Sequence, residues 1–146
     1  MKAAPKITRV KLKINQKQEF ILFGIVSSEP DYKLSLAINR KLKISLKNIS
    51  PVILNSGSGN ELSFSRFSDS AASPDLIYDL ISNRSGKNYL LKKLKNIDYI
   101  FRIYNPENEV NIDQILSLLR ETECLSAVFS LDPGTIKDKN LLHLTS

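Results

Sequence analysis

Two acid–aromatic pairs, Asp31-Tyr32 and Asp98-Tyr99, are the first places to look for chemistry. A carboxylate beside a phenol can act as a base and a proton donor. The same residues also have structural uses. Asp31 suits the positive start of a helix, Asp98 can open a strand, and each Tyr can pack its ring with the hydroxyl at an edge. An enzyme would need Asp98, Tyr99 and Arg102 to converge in one pocket. Asn55–Asn60, with Gly57 and Gly59, superficially resembles a phosphate loop. Such a loop ends in Gly-Lys-Ser/Thr before a helix, whereas Glu61 and a strand pattern come next here. Ser82-Asn83-Arg84-Ser85-Gly86-Lys87 could hold an anion through Arg84 and Lys87, and it also reads as a turn. The single Cys124 comes after Glu121-Thr122-Glu123, whose charge disfavours a thiolate nucleophile; it reads as a small strand residue. One Cys makes no internal disulfide and no cysteine zinc site, and the single His143 supplies no multi-histidine metal site. His143 reads as a surface or packing residue. The expectation is no catalytic residue, no metal and no cofactor.

Basic residues are the richer signal. Arg40, Lys41, Lys43 and Lys47 form one cluster, and Lys87, Lys92, Lys93 and Lys95 another. Tyr89, Phe101 and Tyr104 lie near the second. Lysines that hold phosphates beside rings that stack bases are what a single-stranded RNA platform requires. Residues 99–104 do not match the aromatic RNA-recognition signature, and solvated lysines explain the clusters equally well. The 146 residues carry a net charge of +6. It is uneven: residues 1–50 hold 11 basic and 3 acidic groups, residues 51–104 hold 7 and 5, and residues 105–146 hold 3 and 7. The opposed ends could serve association with a protein partner, which is the first expectation. RNA or another polyanion is the second, and a homo-oligomer stays open. The longest apolar run, Phe20–Val26, is far short of the roughly 20 residues that span a bilayer. Met1–Lys6, with Thr8, Arg9 and Lys11 close behind, lacks the apolar core of a secretory signal, so the cytoplasm is the expected compartment.

The elements that must position these residues are set by hydrophobic spacing. Val10, Leu12 and Ile14 alternate with Arg9, Lys11 and Lys13, a half-buried strand with a basic outer face. Residues 19–26 are apolar nearly throughout, a central strand buried on both faces. Ser28-Glu29-Pro30-Asp31 opens a helix with Ser28 as its cap, and Leu34, Ile38 and Leu42 form its buried stripe. Short strands are expected at Ile44–Leu46 and Val52–Leu54, and longer ones at Glu61–Ser68, Leu76–Ile81 and Tyr99–Tyr104. Asn111 and Gln114 cap a second helix, with Val110 and Ile115 as a hydrophobic staple. Cys124–Leu131 is the last strand. Leu141, Leu142 and Leu144 either add a short strand or dock as a tail. This is one α+β domain over residues 1–146, with residues 1–6 and 132–146 as its more mobile tails. Its sheet is mixed and largely antiparallel, with two helices on one face, in a ferredoxin-like arrangement with extra strands. Residues 99–131 form a βαβ crossover.

Four segments together resemble the IPExxxVDY family of uncharacterised bacterial proteins of the Bacteroidetes type. They are Phe23–Leu34, Phe64–Phe67, Leu80–Ser85 and Leu91–Tyr99. The last corresponds to the naming motif, with Lys92-Lys93 where the family has Pro-Glu and with Asp98-Tyr99 retained. The resemblance covers roughly residues 18–130. It implies a single domain, no established reaction, and Gly24, Ser28, Asp31, Tyr32, Asp98 and Tyr99 as motif residues of structural weight.

Overall fold

The computed structural model describes residues 20–55, 59, 61–73, 76–104 and 111–145. The expected strand at 7–14, Gly57, and the Val110 half of the staple lie outside them. In chain order the elements are β1 (Phe20–Val26), α1 (Asp31–Leu42), β2 (Lys47–Asn55), β3 (Glu61–Ser73), β4 (Leu76–Ser82), β5 (Arg84–Ser85), β6 (Asn88–Tyr89), β7 (Tyr99–Tyr104), α2 (Ile112–Arg120), β8 (Ala127–Leu131), a 3₁₀ turn (Lys139–Leu141) and α3 (Leu142–Thr145). Six strands form one sheet in the order β2-β3-β4-β7-β1-β8, and β5 pairs with β6 in a separate hairpin. Each neighbouring pair in the sheet is antiparallel. The stretch β8-β1-β7-β4, with α1 and α2 as its helices, has the ferredoxin-like order, and β2-β3 extends it as a hairpin on the β4 side. Both β7 and β8 run against β1, so they are parallel to each other and α2 makes the crossover between them.

Strand alternation divides the core in two. Phe23 and Ile25 of β1 join Phe101 and Ile103 of β7, Leu80 of β4 and Val128 of β8 under Leu34 and Ile38 of α1 and Leu119 of α2. Leu22 of β1 points the other way and joins Phe64, Ile81 and Ile100 under Leu90, Leu91 and Ile97 of the loop before β7, and under Leu144 of α3. A strand covered on both sides must be apolar at consecutive positions, which is why residues 20–26 read as an unbroken run. Leu141, Leu142 and Leu144 take the docked form, as a short helix rather than a strand, with Leu144 fully buried.

Several local expectations change. The first helix begins at Asp31 behind Pro30, whose backbone is extended, and Ser28 is exposed with no hydrogen bond among the described residues. A residue preceding proline is pushed out of the helical region, so Glu29 cannot enter the helix and Ser28 cannot cap it. Ile44–Leu46 is a strap, not a strand. Asn39 donates to Leu46 O (3.2 Å) and accepts from Leu46 N (2.7 Å), and Asp69 accepts from Ser45 N (2.8 Å). The last strand starts only at Ala127. Cys124 is exposed with φ 78°, a left-handed backbone that no strand residue adopts, and its carbonyl accepts from the Ser27 hydroxyl. The second helix is capped as its sequence predicts, with Asn111 Oδ1 accepting from Gln114 N at 3.1 Å. Pro51 sits at the irregularity between Ile49 and Val52 on the outermost strand, where a missing N–H is tolerated.

The second core depends on Asn83, which is fully buried. Its side-chain amide donates to Leu94 O (3.0 Å) and Ile97 O (2.9 Å), and its Oδ1 accepts from Leu91 N (2.8 Å). Its backbone N–H donates to Asp98 O (2.9 Å) and its carbonyl accepts from Leu90 N (2.8 Å). Asn140 donates to Leu90 O from the other side (2.7 Å). The loop is thereby pressed onto β1 at Gly24, where a Cβ would lie 2.7 Å from Ile97 Cδ1.

Substitutions at these two positions probe the packing. Asn83→Ala leaves the Ile97 carbonyl and the Leu91 N–H unsatisfied, removes one of the two bonds to Leu94 O, and lowers unfolding free energy by about 3 kcal/mol or more. Asn88→Ala on the exposed hairpin changes it by less than about 0.5 kcal/mol; urea midpoints measure both. Gly24→Ala lowers it by about 1–3 kcal/mol through overpacking. Adding Ile97→Val, which removes Cδ1, recovers part of that loss, and a strictly additive double-mutant cycle would contradict the contact.

Candidate functional site

Three of the four motif segments meet in one place. The end of β1, the start of α1, the end of β4 and the start of β7 surround a cleft of about 330 Å³ lined by Ser27, Glu29, Ser82, Arg84, Asp98 and Tyr99, with Ser28 and Pro30 at its rim. Asp98 is the centre. One carboxylate oxygen pairs with Arg84 and the other accepts from Ser27 N at 2.9 Å. Its own N–H donates to Ile25 O at 2.8 Å, which continues the β1–β7 pairing by one step. Ser27 is buried, and its hydroxyl accepts from Glu29 N (3.2 Å) while donating to Cys124 O. The connection from β1 into α1 is thus built on Ser27 rather than Ser28.

Tyr99 closes the cleft from β7. Its hydroxyl donates to Glu29 O at 2.7 Å. Burial, joined by the carboxylates of Asp31 and Asp98, pushes this hydroxyl up to about 12, and Arg84 opposes the shift. A phenol held neutral and already donating to a carbonyl locks the loop in place; it is poorly disposed to give up its proton. Tyr32 does not pack: it stands 59% exposed on the outer side of α1. Its partner Asp31 accepts from Tyr32 N at 2.7 Å in the first turn of the helix. The two acid–aromatic pairs therefore differ in kind, one an internal fastener and one a surface feature.

Arg102 does not join Asp98 and Tyr99. Tyr99 and Arg102 are an odd number of residues apart on one strand, so they face opposite sides of the sheet. The convergence an enzyme would need at these three residues is missing. Among the described residues no group of three His, Cys, Asp or Glu is placed to hold a metal ion.

The lysine clusters also separate. Arg40, Lys41 and Lys43 lie at the end of α1, and Lys47 opens β2. Lys41 pairs with Glu121 at the end of α2 (3.2 Å), and Glu123 lies with Arg40 around the same depression of about 320 Å³. Part of the acidic last third thus answers the basic first third inside one molecule. Arg40 is exposed and has no ion pair among the described residues. Lys43 is exposed in the left-handed position that terminates the helix (φ 59°). Lys92, Lys93 and Lys95 ride the loop that covers the opposite face, and Lys87 sits in the β5–β6 turn next to Gly86 (φ 61°). Phe101 is fully buried under the helices and presents no ring to solvent. Arg40, Lys41 and Lys43 stay on the helix side, whereas Lys47 is in register with Ser68, a row-mate of Asp79, and points to the opposite face; the first cluster is thus split between the two faces of the sheet.

Sequence reasoning overlooked Asn83 and Ser27, which hold the site together, because each reads as an ordinary polar letter in a Ser-rich stretch. It also overlooked Leu36, which lies one helical turn beyond Tyr32 and is 55% exposed. An apolar residue off the Leu34-Ile38-Leu42 stripe was the available signal. No family model, curated protein or solved structure matches this chain.

The raised Tyr99 hydroxyl sets a pH dependence. Below about pH 10, the unperturbed tyrosine value, the group is neutral in both folded and unfolded chains and stability is flat with respect to it. Between about pH 10 and 12 only the unfolded chain loses its proton, so stability falls. Tyr78, also raised by burial and by Asp69, adds in the same direction. Tyr99→Phe costs about 1 kcal/mol at pH 7 through the lost bond to Glu29 O and makes the alkaline decline shallower. Urea midpoints at pH 7 and pH 11 for both proteins test this.

Proposed function

We propose that this chain is a non-enzymatic protein-interaction module that docks an acidic, partly apolar partner on the outer face of α1. The observation that carries the reading is the exposed stripe Tyr32-Leu36-Arg40. A large aromatic and a leucine, each more than half exposed, are succeeded by a cation at one-turn spacing. Helix-in-groove recognition uses anchors at this spacing, and aromatic and Arg side chains dominate the energetics of such contacts. Lys43 extends the positive end of the stripe. Lys33 is already engaged by Glu29 (3.3 Å). The stripe starts beside the Asp98 cleft, so the motif residues fix the angle at which α1 leaves the sheet. That convergence of Phe23–Leu34, Leu80–Ser85 and Leu91–Tyr99 also supports the proposed kinship with the IPExxxVDY family. A cytoplasmic setting belongs to the same proposal and is supported by the lone thiol. No helix among the described residues is long and apolar enough to cross a membrane.

The placement of the lysines on different faces weighs against the polyanion reading, which needs one continuous surface. Quantitative affinity purification discriminates the two. A stoichiometric protein partner recovered with the wild type is lost with Tyr32→Glu/Leu36→Glu, while the variant's thermal unfolding stays unchanged. RNA recovered instead, with affinity falling by orders of magnitude between about 50 and 200 mM salt, overturns the docking proposal.

A further inference from the structure

The loop of residues 90–97 and α3 cover only part of the sheet face that bears the second core. Toward the start of β1 the same face opens into a trough of about 580 Å³. Cross-strand register builds its floor in rows. Ile77, Tyr104 and Phe20 lie side by side across β4, β7 and β1, and Asp79 and Arg102 are partners in the next row. The rings of Phe20 and Tyr104 are 5.1 Å apart, and the Arg102 guanidinium lies 5.8 Å from the Phe20 centroid. Arg66 on β3 borders the same volume.

The polar groups of this trough are incompletely used. Asp79 is 2% exposed and Arg102 9%. One oxygen of Asp79 takes both bonds from Arg102, from Nε at 3.0 Å and Nη2 at 2.7 Å. The other, Oδ1, accepts no hydrogen bond from any described residue. Arg102 Nη1 donates to Leu144 O at 2.8 Å. Burying two charges is unfavourable unless their remaining lone pairs and protons are satisfied, so a buried carboxylate with an idle oxygen at the wall of an open volume is an acceptor awaiting a donor. Arg66 spends only its Nε, on Ser50 O at 3.1 Å, and both terminal nitrogens are without partners among the described residues. Asp79 neutralises Arg102, which leaves Arg66 as the one unbalanced charge among the described residues of the trough.

We propose that the trough binds a small monocarboxylate with an N–H donor and an apolar side chain. The carboxylate lies on Arg66, the N–H on Asp79 Oδ1, and the apolar body against Phe20, Ile77 and Tyr104. A free apolar amino acid has this chemistry, and so does the C-terminal end of an apolar peptide. A multiply charged phosphate ester does not fit, because its second charge would meet the Asp79 carboxylate. The trough and the outer face of α1 are on opposite sides of the sheet, so this proposal stands independently of the partner-docking one.

The test is amide chemical-shift titration of the full chain with three probes: N-acetyl-leucine, free leucine and N-acetyl-leucinamide. Saturable shifts at Ser68, Ile77, Asp79 and Tyr104 are expected with at least one carboxylate probe. They weaken about tenfold or more with the leucinamide, and likewise with Arg66→Gln, through loss of the charge-assisted contact. Tighter binding of N-acetyl-leucine supports the site with a peptide end as its source, and tighter binding of leucine supports it with a free amino acid. The leucinamide comparison needs no variant and holds if Arg66→Gln perturbs the hairpin. Absence of saturable shifts up to about 10 mM, or equal binding of leucinamide and N-acetyl-leucine, overturns the proposal.

Discussion

The arrangement hangs on one buried amide. Asn83 comes directly after β4, at the point where the chain leaves the sheet to cover its second face. Every donor of its side chain and backbone is matched to a carbonyl, and both of its oxygens accept. A covering loop has no ladder of its own for its backbone groups, and burying them unpaired is prohibitive. Asn83 supplies the pairing a strand would have supplied. Gly24 lets Ile97 settle on β1, and Asp98 then arrives in register to receive Arg84 and Ser27. The cleft, the entry angle of α1 and the lysine-bearing loop are all downstream of that amide. Asn39 does the same on the other face for the strap before β2, where it mimics a strand partner for Leu46.

This economy bears on function. The residues that looked most chemical in the sequence are largely engaged in holding the chain together. Asp98 and Tyr99 secure backbone atoms, and Lys41 answers Glu121 within the same molecule. Among the described residues, two regions keep capacity unengaged: an apolar and cationic helix stripe on one side, and a half-satisfied ion pair beside aromatic rings on the other. Function is better sought where the fold leaves capacity unused than where its most polar letters cluster.

Much of the frame was legible in the residues alone. The period-two and all-apolar runs located β1, β4 and β7 almost to the residue, and Asn111 with Gln114 marked the start of α2. The ferredoxin-like order comes from the right alternation of these elements. Residues 90–97 were not legible, because Leu90, Leu91, Leu94 and Ile97 obey no strand or helix period. Their burial is dictated by Asn83, a tertiary effect. The Ser28 cap failed for a local reason, the restriction that Pro30 places on Glu29. The split of Tyr99 from Arg102 was present in the spacing all along and needed only the parity of a strand. The lysine clusters could be counted in the sequence, but which face each lysine adorned depended on strand register and on how the covering loop folds back.

The position of β1 has a consequence for how the molecule is made. Both of its ladder partners, β7 and β8, come from far along the chain, after the whole β2-β3-β4 meander. A growing polypeptide therefore carries its most apolar strand with both edges open until β7 has been made, and with one edge open until β8 follows. Non-local pairing of this kind slows folding, and exposed apolar edges invite association with other chains. The β2-β3-β4 meander can form from neighbours alone, so assembly runs from the middle of the chain outward, and the sheet closes last around β1, the first of the described strands.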